Sequence, residues 1–157
     1  MAATMSDTML KIQVKCKVFN ESDNPLPKYE TSGAAGMDVC SNEDVEIAPG
    51  KVVAVKTGLY FEIAEGYEIQ VRPRSGLSMK TGLRVANSLG TLDSDWRGNS
   101  AVLLWNTDNV SYFVKKGDRI AQLVLSEVPK ISWVSVASKN ELLSTDRGES
   151  GFGSTGK

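Results

Sequence analysis

The segment Asp93-Ser94-Asp95-Trp96-Arg97-Gly98 sets two carboxylates and a guanidinium side by side, between Asn87 and an apolar run starting near Ala101. A carboxylate kept ionised by its neighbours can take a proton from water. This chain has to rely on such a group, because it contains no histidine. That excludes imidazole acid–base catalysis, Ser or Cys triads that need imidazole, and every metal site built on His. One of these aspartates is the best candidate for activating water; the same stretch also reads as a polar turn with Asp95 and Arg97 on the surface. Pro73-Arg74-Ser75-Gly76 offers a guanidinium, a hydroxyl and close backbone approach, which suits phosphate. It reads equally as a strand-to-helix junction with Ser75 as N-cap. Asp38, in Ala35-Gly36-Met37-Asp38-Val39, could face a cation through water or end a turn. Gln122 is a polar residue within an apolar strand, facing either a site or the exterior of a barrel.

Residues 144–157 (STDRGESGFGSTGK) carry one apolar side chain, Phe152. Gly151 to Gly156 fits G-x-G-x-x-G, and Gly151 to Lys157 fits most of a Walker A loop. Both motifs place phosphate on the N-terminus of a following helix, and the sequence offers none there, so neither is expected to hold. The chemistry of the pieces survives: glycine backbone that approaches an anion closely, hydroxyls on Ser154 and Thr155, and the cationic fork of Arg147. A plain disordered end is the alternative.

The elements that must position these groups are strands. With 157 residues, 18 basic and 19 acidic side chains and a net charge of −1, the chain suits one domain able to bury a core, and it is a poor electrostatic grip for nucleic acid or an anionic membrane. Two cysteines, Cys16 and Cys40, are too few for a zinc site or disulfide framework and point to a reducing compartment. Residues 1–8 are expected to be disordered and are not a secretory signal, and no apolar run approaches the roughly 20 residues of a membrane helix. A soluble, cytoplasmic protein is expected, with a nuclear location open if the source is eukaryotic. From Leu10 to Val18 apolar residues alternate with Lys11, Gln13, Lys15 and Lys17, the period of a half-buried strand. Pro49-Gly50 marks a type II turn, and residues 58–72 alternate on both sides of Glu65-Gly66 as a hairpin would. Further strands are expected at Ala101–Trp105, Tyr112–Val114, Ile120–Leu125 and Ile131–Val136. Only Leu77–Lys80 and Lys139–Leu143 could support a turn or two of helix. Many short strands between Gly/Pro/Asn/Asp turns predict an all-β, jelly-roll-like barrel with one short helix over residues 9–143.

Five segments taken in order are more specific than any one of them. AGMDV (35–39), RPRSGLS (72–78), NSLGTLDSDWRG (87–98), GDRIAQL (117–123) and RGESGFGSTG (147–156) resemble the five motifs of the trimeric dUTPase family, over roughly residues 10–156. The resemblance implies a homotrimer that hydrolyses dUTP to dUMP and pyrophosphate, keeping uracil out of DNA and supplying dUMP. It implies Mg²⁺ held mainly by the substrate phosphates. Asp93 then matches the general base that holds the attacking water. Arg74, Ser75 and Gly76 match the phosphate loop. Asp38 and Gln122 match positions that arrange the metal's waters and nearby phosphate oxygens. Asn87, Gly90, Thr91 and Leu92 match the uracil-reading segment. Trp96 stands where the family usually has the Tyr that lies against deoxyribose. In the tail, Phe152 matches the aromatic that stacks on uracil, Arg147 the terminal-phosphate contact, and Gly153, Ser154 and Thr155 the phosphate wrap. Ser150 stands where many members have glycine. Residues 144–157 would then be an arm closing over a neighbouring subunit's site. Two other readings compete: a dCTP deaminase of the same architecture, against which the uracil segment and complete tail speak, and a trimeric binding or regulatory module without turnover, against which Asp93, Arg74 and Arg147 speak.

Overall fold

The computed structural model describes residues 13–153 of the chain. The alternating segments fold into short strands: β1 (Lys17–Asn20), β2 (Met37–Cys40), β3 (Val45–Ile47), β4 (Val52–Lys56), β5 (Leu59–Glu62), β6 (Tyr67–Arg72), β7 (Leu83–Val85), β8 (Gly90–Leu92), β9 (Ala101–Asn106), β10 (Tyr112–Val114) and β11 (Arg119–Glu127). One helix, α1 (Ser75–Lys80), sits between β6 and β7, and a single 3₁₀ turn spans Lys139–Glu141. The fold is all-β with one short helix, as the sequence implies. The expected closed barrel is present instead as separate antiparallel ladders, ordered β2-β11-β6-β8, β4-β9-β7, β10-β3 and β1-β5. Turns redirect the chain between ladders. At Pro49-Gly50, Gly50 has φ 71°, and the Lys51 N–H donates to the Ala48 carbonyl at 3.1 Å. This is the left-handed position a type II turn requires.

Two expectations are corrected. Residues 58–72 are not a hairpin: β5 pairs with β1, while β6 pairs with β11 on one side and β8 on the other. With both edges of β6 occupied, no edge remains for β5. The run Ile131–Val136 forms no strand, and residues 129–150 are exposed throughout. No strand of the described chain pairs with them. The first expected strand is shorter than its alternation, with the ladder confined to Lys17–Asn20 and residues 10–12 outside the described part. The expected disorder of residues 1–8 also lies outside it.

The core is filled by Val39, Ile47, Val55, Leu83, Leu104, Ile120 and Leu123, among others, drawn from six strands across three ladders. Burying each such side chain contributes about 1.5–3 kcal/mol. Asn106 is fully buried among them. Its amide donates to the Ile47 and Val110 carbonyls at 2.8 and 2.7 Å, and its oxygen accepts from the Asp108 N–H at 3.0 Å. These bonds remove the cost of burying an amide. No described helix is long and apolar enough to cross a membrane.

Candidate active site

The residues picked out from the sequence gather in two clusters, one at the C-terminal end of β6 and one along β8 beside it. At the first, Arg74 is the N-cap of α1, with no side chain capping the helix; Ser75 begins the helix rather than capping it. Arg74 Nε donates to Asp38 Oδ1 at 2.9 Å, and Arg119 Nη1 donates to Asp38 Oδ2 at 3.3 Å. Asp38 therefore gives both oxygens to guanidiniums. Gln122 is paired with Asp38 on one side and Arg72 on the other. Its Nε2 donates to the Pro73 carbonyl at 2.9 Å, tying β11 to the loop that carries Arg74. Gly36 makes room for this amide, since a Cβ there would lie 2.7 Å from Gln122 Oε1. Ser75 and Gly76 are exposed beside this cluster. A hollow of about 240 Å³, lined in part by Arg74, Tyr112, Asp118 and Arg119, opens next to it.

Before β8, the chain crosses between ladders. β7 pairs with β9, whereas β8 pairs with β6, so residues 86–89 bridge two ladders instead of closing a two-strand hairpin. Ser88 adopts φ 63° there. Asn87, Thr91, Leu92, Asp93 and Trp96 line one hollow of about 370 Å³, together with Asn99, Ala101 and Leu103. Gly90 is forced by close approach: a Cβ would lie 2.9 Å from Val71 Cβ and 3.3 Å from Asn87 Nδ2. The turn after Asp93 closes with a Trp96 N–H to Asp93 carbonyl bond at 3.2 Å. Arg97 Nη1 clips it by donating to the Ser94 and Trp96 carbonyls at 2.7 and 2.9 Å. Arg97 is thus a structural brace of the segment, a role its sequence position did not reveal. The Trp96 indole lies against the backbone at Gly98, where any Cβ would collide with the ring. Asp93 is exposed and also borders a wider hollow of about 760 Å³ containing Glu62, Glu65, Glu68, Asp95, Arg97 and Lys130.

Asp93 and Arg74 do not meet within one chain. Leu92 pairs with Ile69, and Asp93 continues away from Arg74, which lies five residues past Ile69 in the other direction. At about 3.3 Å per extended residue the separation is roughly 17–20 Å. The arm residues join neither cluster. Arg147 donates from Nε to its own loop, at the Ser150 carbonyl (2.9 Å), and Phe152 is fully exposed with φ 50°. Gly153 has φ 82° and the Lys139 ammonium pairs with Glu149. Ser154 and Thr155 lie outside the described residues.

Sequence reasoning missed Arg119. The signal was present in Arg119-Ile120-Ala121-Gln122, where two apolar residues in a row break the period of two. In the structure β11 carries a register shift between Arg119 and Ala121. Close by, burial pushes the Cys40 thiol up from its ordinary range, with the Arg119 charge partly opposing that. Among the described residues no group of three or more His, Cys, Asp or Glu could hold a metal.

An all-β frame with an amide-and-carboxylate hollow in one cluster and paired guanidiniums in the other suits an enzyme acting on a phosphorylated nucleotide. The chain belongs to the dUTPase family, whose pattern matches residues 22–156. It is similar to the deoxyuridine 5′-triphosphate nucleotidohydrolase of Fusobacterium nucleatum, 50% identical over 151 residues that cover 95% of this chain and 100% of that protein. The enzyme of the same name from Desulfotalea psychrophila is 52% identical over 133 residues, covering 83% of this chain and 87% of its own. Among solved structures, the Staphylococcus bacteriophage 80alpha dUTPase with dUpNHpp matches with a TM-score of 0.81 at 29% identity, covering 91% of this chain and 99% of that one. The chain is accordingly a hydrolase of this family.

Proposed function

We propose that the chain hydrolyses dUTP to dUMP and pyrophosphate by in-line attack of water on the α-phosphorus. The observation that carries this reading is the shared hollow in which Asp93 lies beside Asn87, Thr91 and Trp96, in a chain matched by the dUTPase family over residues 22–156. The Asn87 amide and the backbone of Gly90, Thr91 and Leu92 face the uracil edge. A base with the wrong donor pattern leaves buried polar groups unpaired, a discrimination that reaches roughly 10⁴–10⁵. Trp96, in the place of the family's usual Tyr, lies along the sugar.

The Asp93 carboxylate holds the attacking water and takes its proton as the new O–P bond forms. The α–β bridging bond breaks and pyrophosphate departs. Arg74, with the Ser75 and Gly76 backbone, offsets phosphate charge and keeps the α-phosphoryl group in line, the main contribution proteins make to phosphoryl transfer. The donor set fits Mg²⁺ carried on the triphosphate: Asp38 and Gln122 offer it only oxygens reached through water, and a hard cation of this kind usually keeps several waters. When bound, it neutralises the phosphate oxygens.

A homotrimer completes the site. In-line attack needs reacting atoms within about 3–3.5 Å, so an Asp93 and an Arg74 some 17–20 Å apart along one extended chain act on the same phosphoryl group only if they come from different copies. The run Ile131–Val136 supports the same reading, since Trp133 and Val134 are 85% and 87% exposed and such side chains are normally covered. From a third copy the 144–157 arm closes the site, with Phe152 on uracil and Arg147, Gly153, Ser154 and Thr155 on the phosphates. The domain then comprises residues 9–143, with 1–8 outside it, and works in the cytoplasm without a nucleic-acid or membrane partner.

The test is a nucleotide panel with Mg²⁺. Pyrophosphate release from dUTP, and hardly any from dTTP, dCTP or UTP, is the expected result. Ammonia release from dCTP, or tight dUTP binding without hydrolysis, overturns it.

A further inference from the structure

Arg119 lies outside the residues assigned above, yet the geometry around it is built with care. The turn before β11 is fixed by the Asp118 N–H donating to the Lys115 carbonyl and the Lys115 N–H donating to Asp118 Oδ2, both at 2.9 Å. Gly117 supplies the left-handed φ of 93° it needs. Arg119 then pairs with Cys40, while Ala121 pairs with Val39 and Gln122 with Asp38. One extra residue thus stands on β11 at this point, a β-bulge, which re-aims side chains. In a regular strand residues 119 and 122 face opposite sides, because their separation is odd. The bulge brings them to the same face as Asp38 and Cys40, while Ile120 and Ala121 stay buried at 2% and 0% exposure.

From that face Arg119 grips Arg74 in two ways. It binds the second oxygen of the carboxylate that holds Arg74 Nε, and its own carbonyl accepts from Arg74 Nη1 at 3.3 Å. A guanidinium held at both Nε and Nη1 cannot rotate about its last bond, so its plane is set. Among the described residues Arg74 Nη2 has no protein partner, and this is the edge left to meet a ligand.

Building on the proposed dUTP hydrolysis, we infer that Arg119, acting through Asp38 and its own backbone carbonyl, is a positioning residue that locks the Arg74 guanidinium for the substrate's phosphates. Asp38 is the shared hinge of the two arginines. Its carboxylate keeps two like charges close together and so concentrates positive potential beside the phosphate loop. Since immobilising a long side chain costs about 0.5–1.5 kcal/mol on binding, an unlocked Arg74 weakens phosphate binding by up to roughly tenfold.

The experiment compares the parent protein with Arg119→Gln, Arg119→Lys, Arg74→Gln and the double variant Arg74→Gln/Arg119→Gln. Each is titrated with dUpNHpp and Mg²⁺, assayed for kcat and KM with dUTP, and inhibited with deoxyuridine, which carries no phosphate. Arg119→Gln is expected to lose up to about tenfold in dUpNHpp affinity while deoxyuridine inhibition is unchanged. Arg119→Lys, still able to reach Asp38, recovers most of the loss. In the Arg74→Gln background, Arg119→Gln adds nothing, because the group it orients is gone. Additive losses in the double variant, an equal loss for deoxyuridine, or dUpNHpp affinity within twofold of the parent overturns the inference. A parent that hydrolyses dUTP while its variants fail to couple refutes only the role of Arg119. A parent that neither hydrolyses dUTP nor binds dUpNHpp refutes the proposed function and this inference together.

Discussion

The two clusters beside β6 are built by different means. At the Arg74 end, side chains hold one another: Asp38 bridges two arginines and Gln122 is tied to the Pro73 carbonyl. Along β8 and the turn after it the backbone does the holding. Gly90 packs directly on Val71, Arg97 clips carbonyls, and Asn87 and Asp93 project exposed. A polyanion is met by charge that must be aimed, and guanidiniums on long stems need partners to aim them. A planar base is met by a fixed pattern of donors and acceptors, which a backbone crossing between ladders supplies with few moving parts. Under the proposed function, Asp93 and Arg74 are each prebuilt on one chain and used with the opposite group from another.

That contrast can be broken most severely by complementation. Asp93→Asn is expected to lose about 10²–10⁴ in kcat with dUpNHpp binding retained, and Arg74→Gln to fail by weak phosphate binding. Refolding the two variants together restores pyrophosphate release to about a quarter of sites if the halves come from different copies, and to none if they come from one. Next in size is the arm: deleting residues 147–157 should leave the assembly intact by light scattering but lower turnover on the order of a hundredfold, the scale of losing positioning groups. Unchanged kinetics would remove the arm from the site. A smaller effect separates the clusters. Gly90→Ala places a Cβ 2.9 Å from Val71 Cβ, an overpacking cost of about 1–3 kcal/mol. A thermal melt should report this as a lower Tm, and KM for dUTP should rise while inhibition by inorganic pyrophosphate, read at the other cluster, stays put. The smallest concerns Cys40, whose thiol is held above its ordinary range by burial. The folded state keeps this proton more tightly than the unfolded chain, so the group's contribution is whole below the ordinary thiol range and is lost as pH rises through the folded value. Alkylation at Cys40, followed by mass spectrometry, should be slow at neutral pH and slower still with dUpNHpp bound.

Much of this was legible before any coordinates. Short apolar runs located β9, β10 and β11, and Asn87, Thr91, Leu92, Asp93 and Trp96 do share one hollow. Pairing was not legible. The 58–72 alternation is real, but periodicity says which side of a strand is buried and nothing about which strand lies beside it. The Ile131–Val136 run carries a strand-like pattern without a partner in the chain, since apolar residues alone do not say whose surface they will cover. Arg119 was missed for a related reason. Its placement depends on a bulge, and a shift of parity is visible only as two adjacent buried residues, a pattern that a doubly covered strand such as Leu123-Val124 also produces.

The bulge on β11 makes this stretch sensitive to length more than to composition. Straightening the ladder with Ile120 kept, as one residue inserted between Val39 and Cys40 on the facing strand would do, would swing Arg119 toward the interior and strand a cation among aliphatic side chains. Exchanging Ile120 for another aliphatic residue would leave the geometry in place. Sequences descending from this one can thus exchange Ile120 for another aliphatic residue far more freely than they can lengthen the facing strand, and a one-codon insertion there should be purged where that missense change is tolerated.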